Sequence, residues 1–366
     1  VSLAYNFGQI RPQNMVVAPS AVFTFIVVYL VAKKWMTQAV FEAILKAIIL
    51  LAITSAFIAV IQIAVNSEFL KTCEPRLAFG SLMRASAIFQ AEYELGYFQI
   101  LAIIIVLLRY KGTLRRNFIV PLLILSVLLT FHRLDLIILV VSLIIYTWLF
   151  SSTARKAVTV LAIVFVALSA IVSYTVLVPL FSKSEFVKER LDADTVSGRL
   201  NQYKVVATAL PEFPLGVGDY ENEAYTDLMA KHNMMQSIDS GTWNWHQIPY
   251  RVHNGYLEVG MLHGPLVMVV FIAMMFSMLR YFKQTISRES PYSIVPFFAV
   301  LIWMLSNISN GVSNFAVYYV VLLAMLSGAV MALYRKDATK EEISAVAPKM
   351  MKSSIAVSNI EKRAIR

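Results

Sequence analysis

The chain has 366 residues, 58% of them hydrophobic, and a mean hydropathy of +0.68. An ordinary soluble domain contains about 45–50% apolar residues, so this composition excludes that class and indicates a membrane protein. The net charge of +10 comes without the interleaved aromatic and basic residues of a nucleic-acid groove, so no nucleic-acid partner is expected. The single cysteine, Cys73, excludes an internal disulfide.

Continuous apolar runs, each long enough to cross about 30 Å of hydrocarbon as a helix, recur along the chain. Because the runs do not alternate with polar residues, they predict helices and not a β-barrel. The predicted fold is all-α: a polytopic transmembrane helical bundle of about nine spans, with a partly helical extramembrane loop domain. The predicted spans are residues 15–32, 40–65, 93–108, 118–131, 134–150, 157–181, 256–279, 292–306 and 312–333.

Lys and Arg in the short connections predict the orientation of the bundle, because these residues favour the cytoplasmic side. Every odd-numbered span is followed by a basic segment, at 33–34, 109–116, 155–156, 280–288 and from 335 onward. The long loop, the corner before the fifth span and Val1 are therefore expected outside. A chain that begins outside without a signal peptide is expected to lack an odd number of upstream spans, and three would bring the total to about twelve.

This pattern divides the chain into four parts. Spans 1–6 occupy residues 1–181, a large loop domain occupies 182–252, spans 7–9 occupy 253–335, and a charged, disordered cytoplasmic tail occupies 336–366. The spans contain few ionisable residues and no matching pair of Gly- or Pro-broken helices. This composition disfavours a transporter or channel.

Arg199 is the first candidate site residue in the loop. Ser197 is a predicted N-cap, which would place Arg199 in a first helical turn, where free N–H groups and a guanidinium both suit a phosphate. Tyr203 would share its face. Gly216 and Gly218 predict a turn where the backbone can approach a ligand. A solvated arginine on an amphipathic helix is the alternative.

His253 lies at the junction of the loop and the next span, between Arg251 and Asn254. An imidazole accepts a proton near neutral pH, and a neighbouring cation favours its neutral form. Both properties suit a general base. The alternative is a structural histidine.

Arg133 lies in the corner Thr130-Phe-His-Arg-Leu-Asp135 between two spans. Cations on the outer side oppose the usual charge bias and indicate an anionic ligand, although pairing with acids such as Asp135 is the alternative. The sequence contains no metal-ligand spacing, phosphate-binding loop or paired-aspartate motif. Neither a metal nor a cofactor is expected.

Three motifs in this order resemble the O-antigen ligase and O-antigen polymerase superfamily of bacterial inner-membrane proteins. They cover most of residues 101–330. The motifs are the corner Thr130-Phe-His-Arg133, the loop pattern Ser197-Gly-Arg199 with Tyr203 and Pro214-Leu-Gly216-Val-Gly218, and His253-Asn254-Gly-Tyr256-Leu257-Glu258.

The resemblance implies a membrane glycosyltransferase that works among membrane lipids at the periplasmic face. It would move a glycan from a polyprenyl (undecaprenyl) diphosphate to a glycan or lipid A-core acceptor, with inversion and without a metal. Arg133 and Arg199 would bind the diphosphate, and His253 would be the base. The supporting residues would be Arg251, Asn254, Tyr203, Gly216 and Gly218.

The chain departs from the family pattern at the corner, which usually reads Ser-Arg and here reads His132-Arg133. A repeat-unit polymerase is the alternative within the class, because ligase and polymerase share these motifs. A flippase or exporter of lipid-linked glycans is the alternative outside it, and charges along the spans would favour that function. The sequence leaves open the acceptor, the glycan and the oligomeric state.

Overall fold

A computed structural model describes residues 12–70, 77–79, 82–110, 113–150, 193–220, 222–239, 245–249, 251–286, 294–308 and 321–333. The predicted sixth span, the beginning of the loop before residue 193 and the predicted cytoplasmic tail lie outside these residues.

The described residues are mainly helical, with two short antiparallel hairpins. The helices are α1 (Pro12–Trp35), α2 (Gln38–Ala64), α3 (Glu92–Arg109), α4 (Leu114–Leu129), α5 (Arg133–Phe150), α6 (Ala193–Ala209), α7 (Glu223–Lys231), α8 (Gly255–His263), α9 (Pro265–Ile286), α10 (Ile294–Ser306) and α11 (Val321–Leu333). The hairpins pair β1 (Leu77–Phe79) with β2 (Leu82–Met83), and β3 (Met235–Asp239) with β4 (Trp245–Pro249). A 3₁₀ turn, Leu210–Glu212, follows α6.

Three of the described helices, α2, α5 and α9, are both long and apolar enough to cross a membrane. Helices α10 and α11 are apolar but shorter. The chain is therefore an integral membrane protein of the helical class. The count of about nine spans stays a prediction.

The predicted seventh span, 256–279, is wrong at its start, because the structure divides it into α8 and α9. Gly264, between them, has φ 94, a conformation that glycine adopts readily. A Cβ at this position would lie 2.3 Å from the Pro214 carbonyl oxygen. Hydropathy did not detect the break, because the residues on both sides of it are apolar.

Helix α3 lies at the centre of the first hydrophobic core. It is apolar around its whole circumference, and its residues from Leu95 to Val106 are buried, as expected of a helix without a polar face. It packs against α2, α4, α5 and α10. Helix α9 instead exposes apolar side chains such as Leu266, Val270 and Phe276, which suits contact with lipid.

Hydrogen bonds join the helix ends on one side of this bundle. Gln62, near the end of α2, accepts from the N–H groups of Ser86 and Ala87 at 3.1 and 2.8 Å. The Ala85 N–H donates to Leu129 O at 3.0 Å, at the end of α4. The ends of α2 and α4 therefore meet the starts of α3 and α5. We call this side, which includes Arg133, the corner end.

Helix α10 packs against α5. Tyr146, near the end of α5, contacts Phe298, near the start of α10, with ring centroids 6.4 Å apart.

The loop has a separate hydrophobic core, which we call the loop core. Its largest fully buried side chains are Tyr225 and Met229 of α7, and Val206 contributes from α6. Met261 of α8 belongs to the same core. Helix α8 therefore packs with the loop and also connects it to α9.

Candidate active site

Helix α6 holds the backbone of His253 through two side chains. Gln202 donates from Nε2 to Arg251 O at 2.9 Å, and its Oε1 accepts from the His253 N–H at 3.4 Å. The Tyr203 hydroxyl donates to His253 O at 2.7 Å. Both backbone polar groups of His253 are thus paired with α6, which fixes the segment that carries the imidazole.

Tyr203 stays a hydrogen-bond donor in this arrangement. Burial raises the pKa of its phenol, and the nearby Arg199 charge opposes that shift. Arg199 itself is exposed, one helical turn before Tyr203. The helix that bears Arg199 is therefore the helix that fixes His253.

The predicted helix start at Ser197 is wrong. Helix α6 begins at Ala193, so Ser197 lies inside it and Arg199 lies beyond its first turn. The residues Ala-Asp-Thr-Val before Ser197 contain neither Gly nor Pro, and they continue the helix toward the N terminus. Any contact of Arg199 with an anion would come from its guanidinium, without help from free helix N–H groups.

Asn254 caps α8 and ties it to α10. Its Oδ1 accepts from the N–H groups of Tyr256 and Leu257 at 3.1 and 3.0 Å, and its Nδ2 donates to Ile308 O at 3.0 Å. The Gly255 N–H donates to Asn307 O at 2.8 Å. The first N–H groups of α8 are therefore paired within the protein, and the helix start is no open anion site.

Arg251 stacks on the loop core. Its guanidinium lies over the Tyr220 ring, 5.7 Å from the centroid. The Tyr220 hydroxyl donates to Glu258 Oε1 at 2.6 Å, and the Tyr225 ring packs edge-on against Tyr220. Burial, followed by the Glu258 charge, raises the pKa of Tyr220 well above its ordinary value, so this phenol stays protonated.

The glycine turn contacts α8. Gly216 and Gly218 have φ 73 and 79, and the N–H groups of Val217 and Gly218 donate to Met261 O and Leu262 O at 2.8 and 2.9 Å. A Cβ on Gly216 would lie 2.4 Å from the Leu262 backbone. The N–H groups of the glycine turn therefore satisfy two backbone carbonyl groups near the end of α8.

An apolar pocket lies close to His253 in the chain, between α8, α9 and α10. Tyr256 lines it from α8, Met275 and Phe276 from α9, and Met304 and Leu305 from α10. The Tyr256 hydroxyl donates to Met304 O at 2.6 Å, which leaves the phenol ring to face the pocket. A hydrocarbon chain is the kind of ligand that such a lining suits.

The corner places Arg133 at the first position of α5, where it is exposed. His132 Nδ1 lies 2.7 Å from Asp135 Oδ1, and the Thr130 hydroxyl lies 3.1 Å from Asp135 Oδ2. The buried Asp135 carboxylate is thus shared by His132 and Thr130.

Arg133 and His253 border different cores. The end of α10 binds Asn254 and Gly255, next to His253. Arg133 begins α5, which packs in the first core, whereas His253 and Arg199 border the loop core.

Sequence reasoning missed Gln202, Tyr220 and Glu258. Gln202 and Glu258 are 5% and 2% exposed, low values for polar side chains outside the three membrane-length helices. Their partners lie 38 to 51 residues away in the chain, so no local pattern could reveal them. For Gln202 and Glu258 the only signal was their position beside Tyr203 and Leu257 of the quoted motifs.

Among the residues that the structure describes, no three His, Cys, Asp or Glu side chains converge as metal ligands would. Metal independence stays a prediction.

Residues 118–272 match the family model described as O-Antigen ligase, whose members are glycosyltransferase-like membrane enzymes. No curated protein matches the chain. The matched region includes Arg133, Arg199 and His253, and it supports the family that the three motifs predict, the O-antigen ligase superfamily.

Proposed function

We propose that this protein is a metal-independent, inverting glycosyltransferase of the bacterial inner membrane. It moves a glycan from a polyprenyl (undecaprenyl) diphosphate to an acceptor hydroxyl at the periplasmic face. The preferred acceptor is lipid A-core, which makes the protein an O-antigen ligase in lipopolysaccharide synthesis. The observation that carries the proposal is the fixing of the His253 backbone by the helix that bears Arg199.

The proposed transfer reaction requires little more than His253, Arg133 and Arg199. The acceptor oxygen attacks the anomeric carbon, and the bond from that carbon to the diphosphate oxygen breaks. The acceptor proton passes to the His253 imidazole, and the lipid diphosphate leaves with its charge neutralised by Arg133 and Arg199. A single displacement inverts the anomeric centre. Diphosphate is a good leaving group, so positioning and charge stabilisation provide most of the catalysis.

The lipid part of the donor requires an apolar neighbour to this site. The pocket between α8, α9 and α10 supports such a role, because it borders the exposed apolar face of α9. We propose that the first isoprene units of the carrier lie there while the diphosphate reaches the arginines.

The orientation rests on basic residues at helix ends. Lys33 and Lys34 lie in the last turn of α1, Arg109 in that of α3 and Lys283 in that of α9. Arg109 also pairs with Glu42, on the side opposite the corner end. We propose that this basic side is cytoplasmic, which directs the corner end toward the periplasm.

Ligase and polymerase functions differ in the acceptor, and a direct assay separates them. Purified protein in EDTA is given a labelled undecaprenyl-diphosphate glycan with either lipid A-core or a second lipid-linked repeat unit. We expect label on lipid A-core with the anomeric configuration inverted. Elongated lipid-linked glycan would instead assign a polymerase. A donor that moves across liposome membranes without any transfer would replace the enzyme proposal with a flippase.

A further inference from the structure

The corner is built around one buried carboxylate. Asp135 is 0% exposed, and a buried carboxylate is costly unless partners compensate for its lost hydration. Gly96 of α3 provides the space, since a Cβ there would lie 2.0 Å from Asp135 Oδ2. The hydrogen-bonding side chains at this carboxylate are Thr130 and His132. The buried carboxylate of Asp135 therefore holds the His132 side chain in place.

The orientation of the imidazole leaves its other nitrogen available. Nδ1 faces Asp135, so Nε2 lies across the ring, and among the described residues Nε2 has no hydrogen-bond partner. The side chain is 17% exposed and its ring packs against Tyr93. Phe131 has φ 51, a strained conformation for a residue with a side chain, and such strain persists where the surroundings fix the backbone. The corner therefore presents Nε2 next to Arg133 in a constrained geometry.

We propose that His132, held by Asp135, is a second phosphate ligand beside Arg133. The Nε2–H of His132 donates to the anion when the ring is an imidazolium. The inference rests on the proposed function and adds a residue to its donor site.

The protonation state decides whether this contact forms. With one proton, on Nδ1 and directed at Asp135, the ring offers a lone pair at Nε2 that repels a phosphate oxygen. With two protons it donates on both sides. The contact with the phosphate therefore requires a proton on Nε2.

Three other groups lie around His132 and Asp135. Glu92 acts electrostatically on Asp135 and is itself paired with Arg84 at 2.6 Å. Tyr93 contributes a ring against His132, and Arg133 follows His132 in the chain. His253 is the other imidazole of the proposed site, so donor binding is measured in a protein that lacks it.

The test uses purified full-length His253→Gln protein and farnesyl-diphosphate-linked N-acetylglucosamine as the probe. This diester keeps its phosphate charge near neutral pH. We expect the further change His132→Gln to raise the Kd about tenfold or more, as for the loss of one hydrogen bond between charged groups. His132→Arg should retain tight binding, because a guanidinium also donates to the anion. Asp135→Asn should weaken binding when His132 is present and should add little to the effect of His132→Gln.

A His132→Gln protein that binds the probe as tightly as the protein with His132 would overturn the inference. The proposed function would survive that result, because the probe would still bind. Failure of the His253→Gln protein to bind the probe at any pH would instead count against the proposed function.

Two competitors separate the sources of phosphate. Inorganic pyrophosphate should displace the probe, and phosphatidylglycerol in phosphatidylcholine nanodiscs should not. Displacement by phosphatidylglycerol alone would assign His132 to a lipid headgroup and overturn its role in donor binding.

Discussion

Replacement of His253 by Ala or Gln is expected to lower the rate of glycan transfer about 10²–10⁴-fold, the usual contribution of a general base. Donor binding should persist, because the arginines that neutralise the diphosphate remain. The fold should persist as well, since the bonds from Gln202 and Tyr203 are made to the main chain of residues 251–253 and not to the imidazole.

The matched control is His232→Ala, in the same loop, where the histidine is exposed at the end of α7. This variant should transfer at the wild-type rate. The turnover of the wild-type protein at saturating donor should fall as pH falls, because the neutral imidazole is the reactive form. If His253→Ala retained near-wild-type turnover while His132→Ala was inactive at saturating donor, His132 and not His253 would be the general base.

Arg199→Ala and Arg133→Ala should each weaken transfer at low donor concentration about 10- to 150-fold. The loss of one charge-assisted contact to a phosphate costs about 1.5–3 kcal/mol. Both side chains are exposed, so melting temperature and expression should stay near wild-type values. Lys at either position should restore only part of the activity, since an ammonium cannot make the bidentate contact of a guanidinium.

Lys204→Ala is the control for net charge. Lys204 is an exposed cation on α6, five residues after Arg199 and therefore on another part of the helix surface. Its removal should leave the KM for the donor unchanged. Full activity in both arginine variants would contradict the assignment of a diphosphate site.

Hydropathy and charge predicted the helical membrane class, because a helix that spans the lipid must consist mainly of apolar residues. The same reasoning predicted α2 and α5 to within a few residues. It failed at Gly264, where a break between two apolar helices depends on backbone conformation and on a close approach of Pro214. It also failed at Ser197, because a good capping residue can lie inside a helix that begins earlier.

The motifs predicted which residues to examine, but not how they are held. Nothing local in the sequence indicates that Gln202 binds the main chain at Arg251 and His253, because those contacts form only when the loop folds. His132 and Asp135 are three residues apart in the chain, so their pairing could have been proposed from the sequence. The complete burial of Asp135 depends on Gly96, which lies in another helix.

The central claim is that the corner and the loop lie on the same, outer face of the membrane. Single cysteines at Arg133, Lys231 and Lys283 test it in a Cys73→Ser protein, since all three side chains are exposed. We predict that cysteines at 133 and 231 react with an impermeant thiol reagent in intact spheroplasts, and that a cysteine at 283 reacts only after lysis. Labelling of 133 and 231 only after lysis, or of only one of them in intact cells, would contradict a single periplasmic site.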